Sequence, residues 1–134
     1  MAKSNAKKKA WTAFSKYIRV RDCLETTGSP YYGVCCTCGK QYPIERLQAG
    51  HFVAGRTNAL LFRETGVHGQ CVSCNMFKGG AWVEYEEFML ERYGPEITLE
   101  EKMAKRKTVS YSEKDYQDIA KEYQRKTKEL LNGS

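Results

Sequence analysis

The segment HGQCVSCN (residues 68–75) contains the second of two Cys-x-x-Cys motifs, and CCTC (residues 35–38) contains the first. Four thiolates at this paired spacing can close a tetrahedron around one zinc ion. The predicted ligands are Cys35, Cys38, Cys71 and Cys74; Cys36 could replace Cys35, although the motif spacing favours Cys35. Because a structural zinc site supplies much of the folding free energy of a small domain, these two segments decide the fold.

Two other interpretations of the cysteines stay open at this point. They could form disulfides or a redox pair, or they could be buried free thiols. The sequence shows no secretory signal, so we expect a reducing compartment, where disulfides are disfavoured. Cys23 has no partner at a matching spacing and is expected to be a small buried side chain.

Length and composition predict one basic, soluble, globular domain. The chain has 134 residues, 41% of them hydrophobic, and 22 Lys and Arg against 16 Asp and Glu give a net charge of +6. Residues 1–21 carry seven basic residues and no acid, whereas residues 22–100 carry six basic and ten acidic residues. Basic flanks suit the phosphate backbone of a nucleic acid, although a solvated tail and a solvated helix face would give the same pattern.

The chain contains no long apolar stretch. Its longest aliphatic or aromatic run is residues 59–62, far below the ~20 residues that span a bilayer. We therefore expect no membrane span, no signal peptide and a cytoplasmic location.

Hydrophobic periodicity predicts an amphipathic helix over residues 7–22, followed by a break at residues 26–30. The apolar face of this helix contains Trp11, Phe14 and Tyr17. Such a face could bind a partner protein, but ordinary packing in the core is the better interpretation.

The rest of the chain is predicted to contain two short strands and several helices. The strands cover residues 46–53 and 67–72. One or two helices follow Cys74 and end at Gly94-Pro95, and a shorter helix follows from Thr98. A capping box formed by Ser112 and Asp115 begins the final helix, whose outer face is rich in Lys and Arg.

The chain has two histidines, His51 and His68, and both lie between the cysteine motifs. A strand, loop, strand and helix held by zinc would bring them near Asn75 at the helix start. A neutral imidazole can accept a proton from water, and a nearby divalent cation can stabilise charge on a phosphate. Taken alone, each histidine is more often structural than catalytic, but their joint placement suits phosphodiester hydrolysis.

These motifs in this order resemble the NinG family of phage recombination proteins, which belongs to the wider HNH, or ββα-metal, endonucleases. The resemblance covers about residues 11–93 and rests on four segments: CCTC (35–38), AGHF (49–52), HGQCVSCN (68–75) and KGG (78–80). It implies an α+β fold with a small zinc-bound ββα-metal (HNH-like) core and flanking N- and C-terminal α-helices. It also implies cleavage of branched DNA, such as Holliday junctions and D-loops, with Mg²⁺ or Mn²⁺.

The resemblance assigns roles residue by residue. His51 matches the general base that activates water, and Asn75 matches a ligand of the catalytic cation. His68 matches a histidine of the family pattern and is expected to be a second ligand or a phosphate contact. The residues expected to bind DNA are Lys7, Lys8, Lys9, Arg56 and Lys78, although Lys78 could equally be a solvated lysine.

Two positions depart from the usual HNH pattern. Gly50 stands where an acid is typical, and Gly66 stands where an asparagine is typical. The first departure leaves the cation short of a ligand, which Glu45, Glu64 or substrate and water oxygens could supply. The second removes a side chain that orients the histidine loop.

We therefore expect one domain over residues 1–134, with a basic N-terminal helix (1–22), a zinc-bound HNH-like core (35–93) and a C-terminal helical extension (96–134). The expected function is a metal-dependent endonuclease that hydrolyses branched DNA in the host cytoplasm, if the chain is phage-encoded. The alternative is an inactive zinc-containing module that binds DNA structure. Paired cuts at a junction would suit a homodimer, although no sequence feature specifies one. Other recombination proteins could also be partners, through the face of Trp11, Phe14 and Tyr17.

Overall fold

The computed structural model describes residues 2–55 and 57–133 and has the mixed α+β composition that the sequence predicts. In chain order the elements are α1 (Ala2–Thr27), β1 (Tyr32–Val34), β2 (Gln41–Pro43), a 3₁₀ turn (Ile44–Arg46), β3 (Leu47–His51), α2 (Asn58–Leu61), β4 (Val67–Cys71), a π-helical turn (Ser73–Phe77), α3 (Trp82–Ala104) and α4 (Glu113–Gly133). Within these residues, no helix is both long and apolar enough to cross a bilayer.

Helices α1 and α4 pack together along most of their length. Three alanines of α1, at positions 6, 10 and 13, are buried at this contact and allow the two backbones to approach closely. Phe14 lies fully buried beside them, with its ring edge-on to Tyr123 of α4 and to Phe62. The predicted core packing of Phe14 is confirmed, while Trp11 and Tyr17 are partly buried against the same cluster.

The strands form two separate antiparallel hairpins, β1 with β2 and β3 with β4. In the second hairpin Gly50 lies opposite His68, and His51 lies opposite Val67. The predicted strands are confirmed here within two residues at each end, whereas the short hairpin β1–β2 was not predicted.

Helix α1 holds the second hairpin by polar contacts that run from its last turns. The buried carboxylate of Asp22 accepts the backbone N–H of Gly69 at 2.8 Å and pairs with Arg21 at 2.8 Å. Arg21 also donates to the carbonyls of Glu64 and Val67, at 2.8 and 2.9 Å. The position of β4 relative to α1 is therefore fixed by charge-assisted hydrogen bonds as well as by apolar packing.

Helix α1 is longer than predicted and continues through Thr26 and Thr27. Both threonine hydroxyls donate to the carbonyl four residues earlier in the helix, so the side chains are satisfied within it. The helix ends at Gly28, whose φ of 78° is the left-handed conformation that glycine adopts at little cost.

Two predicted boundaries in the C-terminal half are confirmed. Gly94 breaks α3 with φ 86° and ψ 175°, so the helical chain changes direction there and continues to Ala104. The capping box before α4 is complete: Ser112 N–H donates to Asp115 at 2.8 Å, and Asp115 N–H donates to the Ser112 hydroxyl at 3.0 Å.

Some apolar residues after the second cysteine motif lie on the surface. Phe77 is 82% exposed and Trp82 is 67% exposed. The sequence assigns both to the same apolar helical pattern as Tyr85 and Met89, which are buried. The π-helical turn and the following glycines rotate the chain between Phe77 and α3, so the helical periodicity does not continue from Phe77 into α3. Trp82 is exposed as the first residue of α3.

Candidate functional site

The two hairpins bring the cysteine motifs together. The Sγ atoms of Cys35, Cys38, Cys71 and Cys74 all lie within 4.8 Å of one another, and those of Cys38 and Cys71 are 3.9 Å apart. Sulfur atoms around a tetrahedral zinc ion are about 3.8 Å apart, so the four cysteines could hold a metal ion such as zinc. The cluster contains Cys35 and does not contain Cys36.

Thr37 connects this cysteine cluster to the β3–β4 hairpin. Its hydroxyl lies 3.3 Å from the Sγ of Cys35 and accepts a hydrogen bond from the Gln70 side chain at 3.2 Å. Burial raises the pKa of the Cys35 thiol, but hydrogen bonds from Thr37 and the backbone outweigh burial and lower that pKa to about 6. The cluster therefore favours a thiolate at Cys35, the form that binds metals.

His51 and Asn75 line one cleft of about 200 Å³. His51 lies at the end of β3, and Asn75 lies in the π-helical turn that follows the second cysteine motif. The other lining residues are small: Ala49, Ala54, Gly79 and Gly80. The sequence-predicted base and cation ligand thus lie beside one accessible space, where no large side chain stands between them.

The His51 ring is held between an aromatic ring and a backbone carbonyl. Trp11 stacks on it, with ring centroids 5.2 Å apart and planes 17° apart, and Nε2 lies 3.4 Å from the carbonyl oxygen of Leu61. A carbonyl oxygen can only accept, so this contact favours the tautomer that carries its proton on Nε2.

The structure places His68 away from the cleft. It is buried, and both of its ring nitrogens contact tyrosine hydroxyls: Nε2 contacts Tyr93 at 2.6 Å and Nδ1 contacts Tyr85 at 3.3 Å. Burial lowers the pKa of His68 well below its usual 6.5, and the charges of Arg21 and Arg92 lower it further. The expectation that His68 is a catalytic residue or a cation ligand does not fit this placement, because a ligand needs a lone pair directed at the ion.

The hydrogen bonds around His68 extend to the backbone next to His51. Tyr85 donates its proton to the carbonyl oxygen of Gly50 at 2.6 Å, so its oxygen is left to accept Nδ1–H of His68. Nε2 then accepts the proton of Tyr93. His68 is therefore neutral, and it fixes the strand that carries His51 without reaching the cleft.

Gly50 lies directly beside Asn75. A Cβ added at Gly50 would be 3.0 Å from Oδ1 of Asn75 and only 1.9 Å from Oε1 of Gln70. The Gln70 side chain therefore occupies the volume that a side chain at position 50 would fill. Gln70 directly precedes the second cysteine motif, but the sequence alone gives no signal for this role, since the contact depends on the register of two strands.

Gly66 shows the same arrangement with another residue. A Cβ added there would be 2.5 Å from Oε1 of Glu101, a buried carboxylate paired with Arg63 at 2.8 Å. His51, Gly66 and Glu101 line one small cavity. A carboxylate from α3 thus occupies the space that a side chain at position 66 would fill.

The two acids suggested as replacement ligands lie elsewhere. Glu64 accepts hydrogen bonds from Tyr123 at 2.8 Å and Lys126 at 2.9 Å, so it joins the β4 side of the molecule to α4. Glu45 is exposed on the 3₁₀ turn. Neither residue lines the cleft of His51 and Asn75.

The lysines predicted to contact DNA are exposed. Lys7, Lys8 and Lys9 lie on the first turns of α1, and Lys7 donates to Asn58 at 3.3 Å. Lys78 lies just after the π-helical turn, next to the glycines of the cleft. Arg56 lies outside the described residues.

The basic face of α4, which the sequence indicated, forms a second basic surface together with α1. A groove of about 530 Å³ between α1 and α4 is lined by four cations: Lys16, Lys121, Arg125 and Lys128. The heptad-like spacing of Lys121, Arg125 and Lys128 on α4 is visible in the sequence, but only the packing of α1 on α4 shows that Lys16 faces the same groove.

The chain is similar to proteins of several bacteriophages. The family model described as Bacteriophage Lambda NinG protein matches residues 2–133. A protein called Protein ninG from Salmonella phage P22 is 33% identical over 127 residues, which are 92% of this chain and 56% of that protein. Its namesake from Escherichia phage lambda is 33% identical over 129 residues, 93% of this chain and 57% of that protein. The chain thus spans little more than half the length of these relatives, and no solved structure matches it.

Proposed function

The chain belongs to the NinG family of bacteriophage proteins, and from this we propose that it is a metal-dependent endonuclease that hydrolyses phosphodiester bonds in branched DNA during phage recombination. The proposal assigns the β3–β4 hairpin and the helical turn after it to an HNH-like core. It places a structural zinc ion in the cysteine cluster and Mg²⁺ or Mn²⁺ beside Asn75.

One observation carries the proposal: His51 and Asn75 line the same accessible cleft. A candidate base and an oxygen ligand for a hard cation are the two groups that HNH chemistry needs near a phosphate. The small residues around them leave space for a backbone phosphate. A purely structural module has no need for an imidazole and an amide oxygen that share one open space.

In the proposed reaction, His51 takes a proton from the attacking water. Trp11 and the Leu61 carbonyl hold the ring, so the imidazole keeps one orientation during the proton transfer. Asn75 would hold the divalent cation, which supplies stabilisation of the negative charge on the phosphate. His68 does not act on substrate; it fixes the Gly50 carbonyl through Tyr85.

The basic surfaces provide the contacts that bind DNA. The groove between α1 and α4 offers four cations to phosphates, and Lys78 stands next to the cleft. These contacts are independent of sequence and suit a protein that recognises DNA shape. Exposed Phe77 offers an aromatic face on which an unpaired base at a branch point could stack.

The test is cleavage of a labelled four-way junction, a D-loop and a linear duplex by the full zinc-loaded chain with Mg²⁺ or Mn²⁺. We expect nicking of the branched substrates to require the added cation. His51→Ala should reduce the rate by roughly 10²- to 10⁴-fold, the usual contribution of a general base, while junction affinity stays unchanged.

Asn75→Ala should also reduce cleavage, whereas Asn132→Ala, at the exposed end of α4, is the matched control and should have no effect. Cleavage that survives His51→Ala would contradict the assignment of the base. Tight junction binding without cutting under either metal would instead favour a DNA-structure-binding module.

A further inference from the structure

The side-chain amide of Gln70 is locked in one orientation. Gln70 is fully buried, and its Nε2 donates to the Thr37 hydroxyl at 3.2 Å and to the Gly80 carbonyl at 2.9 Å. Since a carbonyl oxygen only accepts, the nitrogen must face Gly80. Oε1 must therefore face the opposite way, toward Gly50.

The oxygen of this amide has no hydrogen-bond partner among the described residues, although it is buried. A buried carbonyl left unpaired loses the hydrogen bonds that it made to water in the unfolded chain, and nothing in the fold replaces them. Native proteins rarely keep such an atom unless something outside the chain satisfies it. The position of Oε1 therefore calls for a donor or a cation.

A second amide oxygen converges on the same place. Asn75 donates from Nδ2 to Oε1 of Gln48 at 2.7 Å, which directs its Oδ1 toward Gly50. The position of a Cβ at Gly50 is 1.9 Å from Oε1 of Gln70 and 3.0 Å from Oδ1 of Asn75. Oε1 of Gln70 thus fills the space beside Gly50, Oδ1 of Asn75 lies at most 4.9 Å from it, and neither amide nitrogen faces this place.

Two carbonyl oxygens that converge without a donor between them form a cation site of the kind that hard divalent ions use. Mg²⁺ takes oxygen ligands at about 2.0–2.1 Å and is usually held by one or two protein oxygens, with water and phosphate completing the shell. The absence of an acid at position 50 is what creates this arrangement, because any side chain there would displace Gln70.

We propose that Gln70 Oε1 is the missing protein ligand of the divalent cation, acting with Asn75 Oδ1 in place of an acidic side chain at position 50. This inference rests on the proposed function for the identity of the ion. Because both ligands are neutral, the protein alone binds the cation weakly, and DNA phosphate strengthens the binding. The site is connected to the cysteine cluster through Thr37, which contacts both Gln70 and Cys35.

The experiment measures Mn²⁺ binding to the full zinc-loaded chain by the electron paramagnetic resonance signal of free Mn²⁺, with and without junction DNA that carries uncleavable phosphorothioate linkages. Gln70→Ala should weaken Mn²⁺ binding at least about 10-fold. Gln117→Ala, which removes an exposed glutamine of α4, is the matched control and should bind like the parent chain.

A second variant keeps the inference testable if Gln70→Ala does not fold. Gly50→Asp combined with Gln70→Ala puts a carboxylate into the space that Gln70 leaves. If the site is a cation site, this double variant should bind Mn²⁺ more tightly than the parent chain and should no longer need DNA for binding.

Two results would overturn the inference. One is a folded Gln70→Ala chain that binds Mn²⁺ like the parent, which would make Oε1 the partner of a buried water only. The other is a folded double variant that gains no Mn²⁺ affinity. The proposed function is judged separately: Gln70-dependent Mn²⁺ binding without DNA cleavage keeps the inference and refutes the nuclease, and Gln70-independent binding with cleavage does the reverse.

Discussion

Trp11 of α1 stacks on His51 at the end of β3, with ring centroids 5.2 Å apart and nearly parallel planes. The two residues are forty positions apart in sequence, and the packing of α1 on the β3–β4 hairpin brings them together. The predicted amphipathic helix thus contributes directly to the orientation of the proposed base.

Replacing Trp11 tests this contact. Trp11→Leu should slow single-turnover cleavage by roughly 2- to 12-fold, the rate equivalent of the 0.5–1.5 kcal/mol that an aromatic pair contributes. Trp11→Phe keeps an aromatic ring and should retain most of the rate. In NMR spectra the His51 ring protons should shift in Trp11→Leu because the ring current is lost; unchanged shifts would refute the stacking.

The cysteine cluster predicts that zinc binding and folding require Cys71 but do not require Cys36. Cys71→Ser should lose the equimolar zinc and unfold, because a structural zinc ion supplies folding free energy. Cys36→Ser is the matched control and should keep both zinc and fold, since Cys36 is outside the cluster. Zinc content and circular dichroism measure both effects. A folded, zinc-loaded Cys71→Ser chain would contradict the four-cysteine site.

Burial of His68 predicts a loss of stability in mild acid. Its folded-state pKa is well below 6.5, so below about pH 6.5 the unfolded chain takes up a proton that the folded chain does not. The free energy of unfolding should therefore fall as pH decreases, by up to about 1.4 kcal/mol per pH unit.

Urea unfolding of the zinc-loaded chain between pH 7.5 and 5.5 measures this slope. His68→Gln cannot take up the proton and should show a shallower slope, while any contribution from the cysteines is common to both chains. Equal slopes for the two chains would mean that His68 titrates in the folded state and is not buried as described.

The groove between α1 and α4 predicts a change in the salt dependence of DNA binding. Lys16→Gln, Lys121→Gln and Lys128→Gln together should lower the slope of log K against log salt by up to about 3, because each phosphate contact releases counterions. Replacing Lys7, Lys8 and Lys9 with Gln is the comparison, since these were the lysines predicted from sequence. Fluorescence anisotropy over a salt series measures both triple variants, and an unchanged slope would remove the groove from the DNA-binding surface.

The sequence was sufficient to predict the elements that depend on local patterns. The cysteine spacing located the cluster, and the Ser112–Asp115 pair located the start of α4, because both signals lie within a few residues. The β3–β4 hairpin followed from its flanking motifs.

The positions of the other site residues depend on contacts between segments that are distant in sequence. Sequence order placed His68 beside His51, but the pleat of β4 turns His68 into the core, where it meets Tyr85 and Tyr93. The position of Lys16 in the groove depends on the packing of two helices. The position of Gln70 beside Gly50 depends on strand register. No local pattern contains this information.

The contact between Gly50 and Gln70 also constrains how this family can vary. Because the two positions compete for one volume, a mutation to a larger side chain at 50 is tolerated only after position 70 has become smaller. The order of two mutational steps then decides whether the intermediate protein folds. Homologues should accordingly fall into two groups, glycine with glutamine or a larger residue with a smaller one, and a motif search that scores each position alone would overlook this pairing.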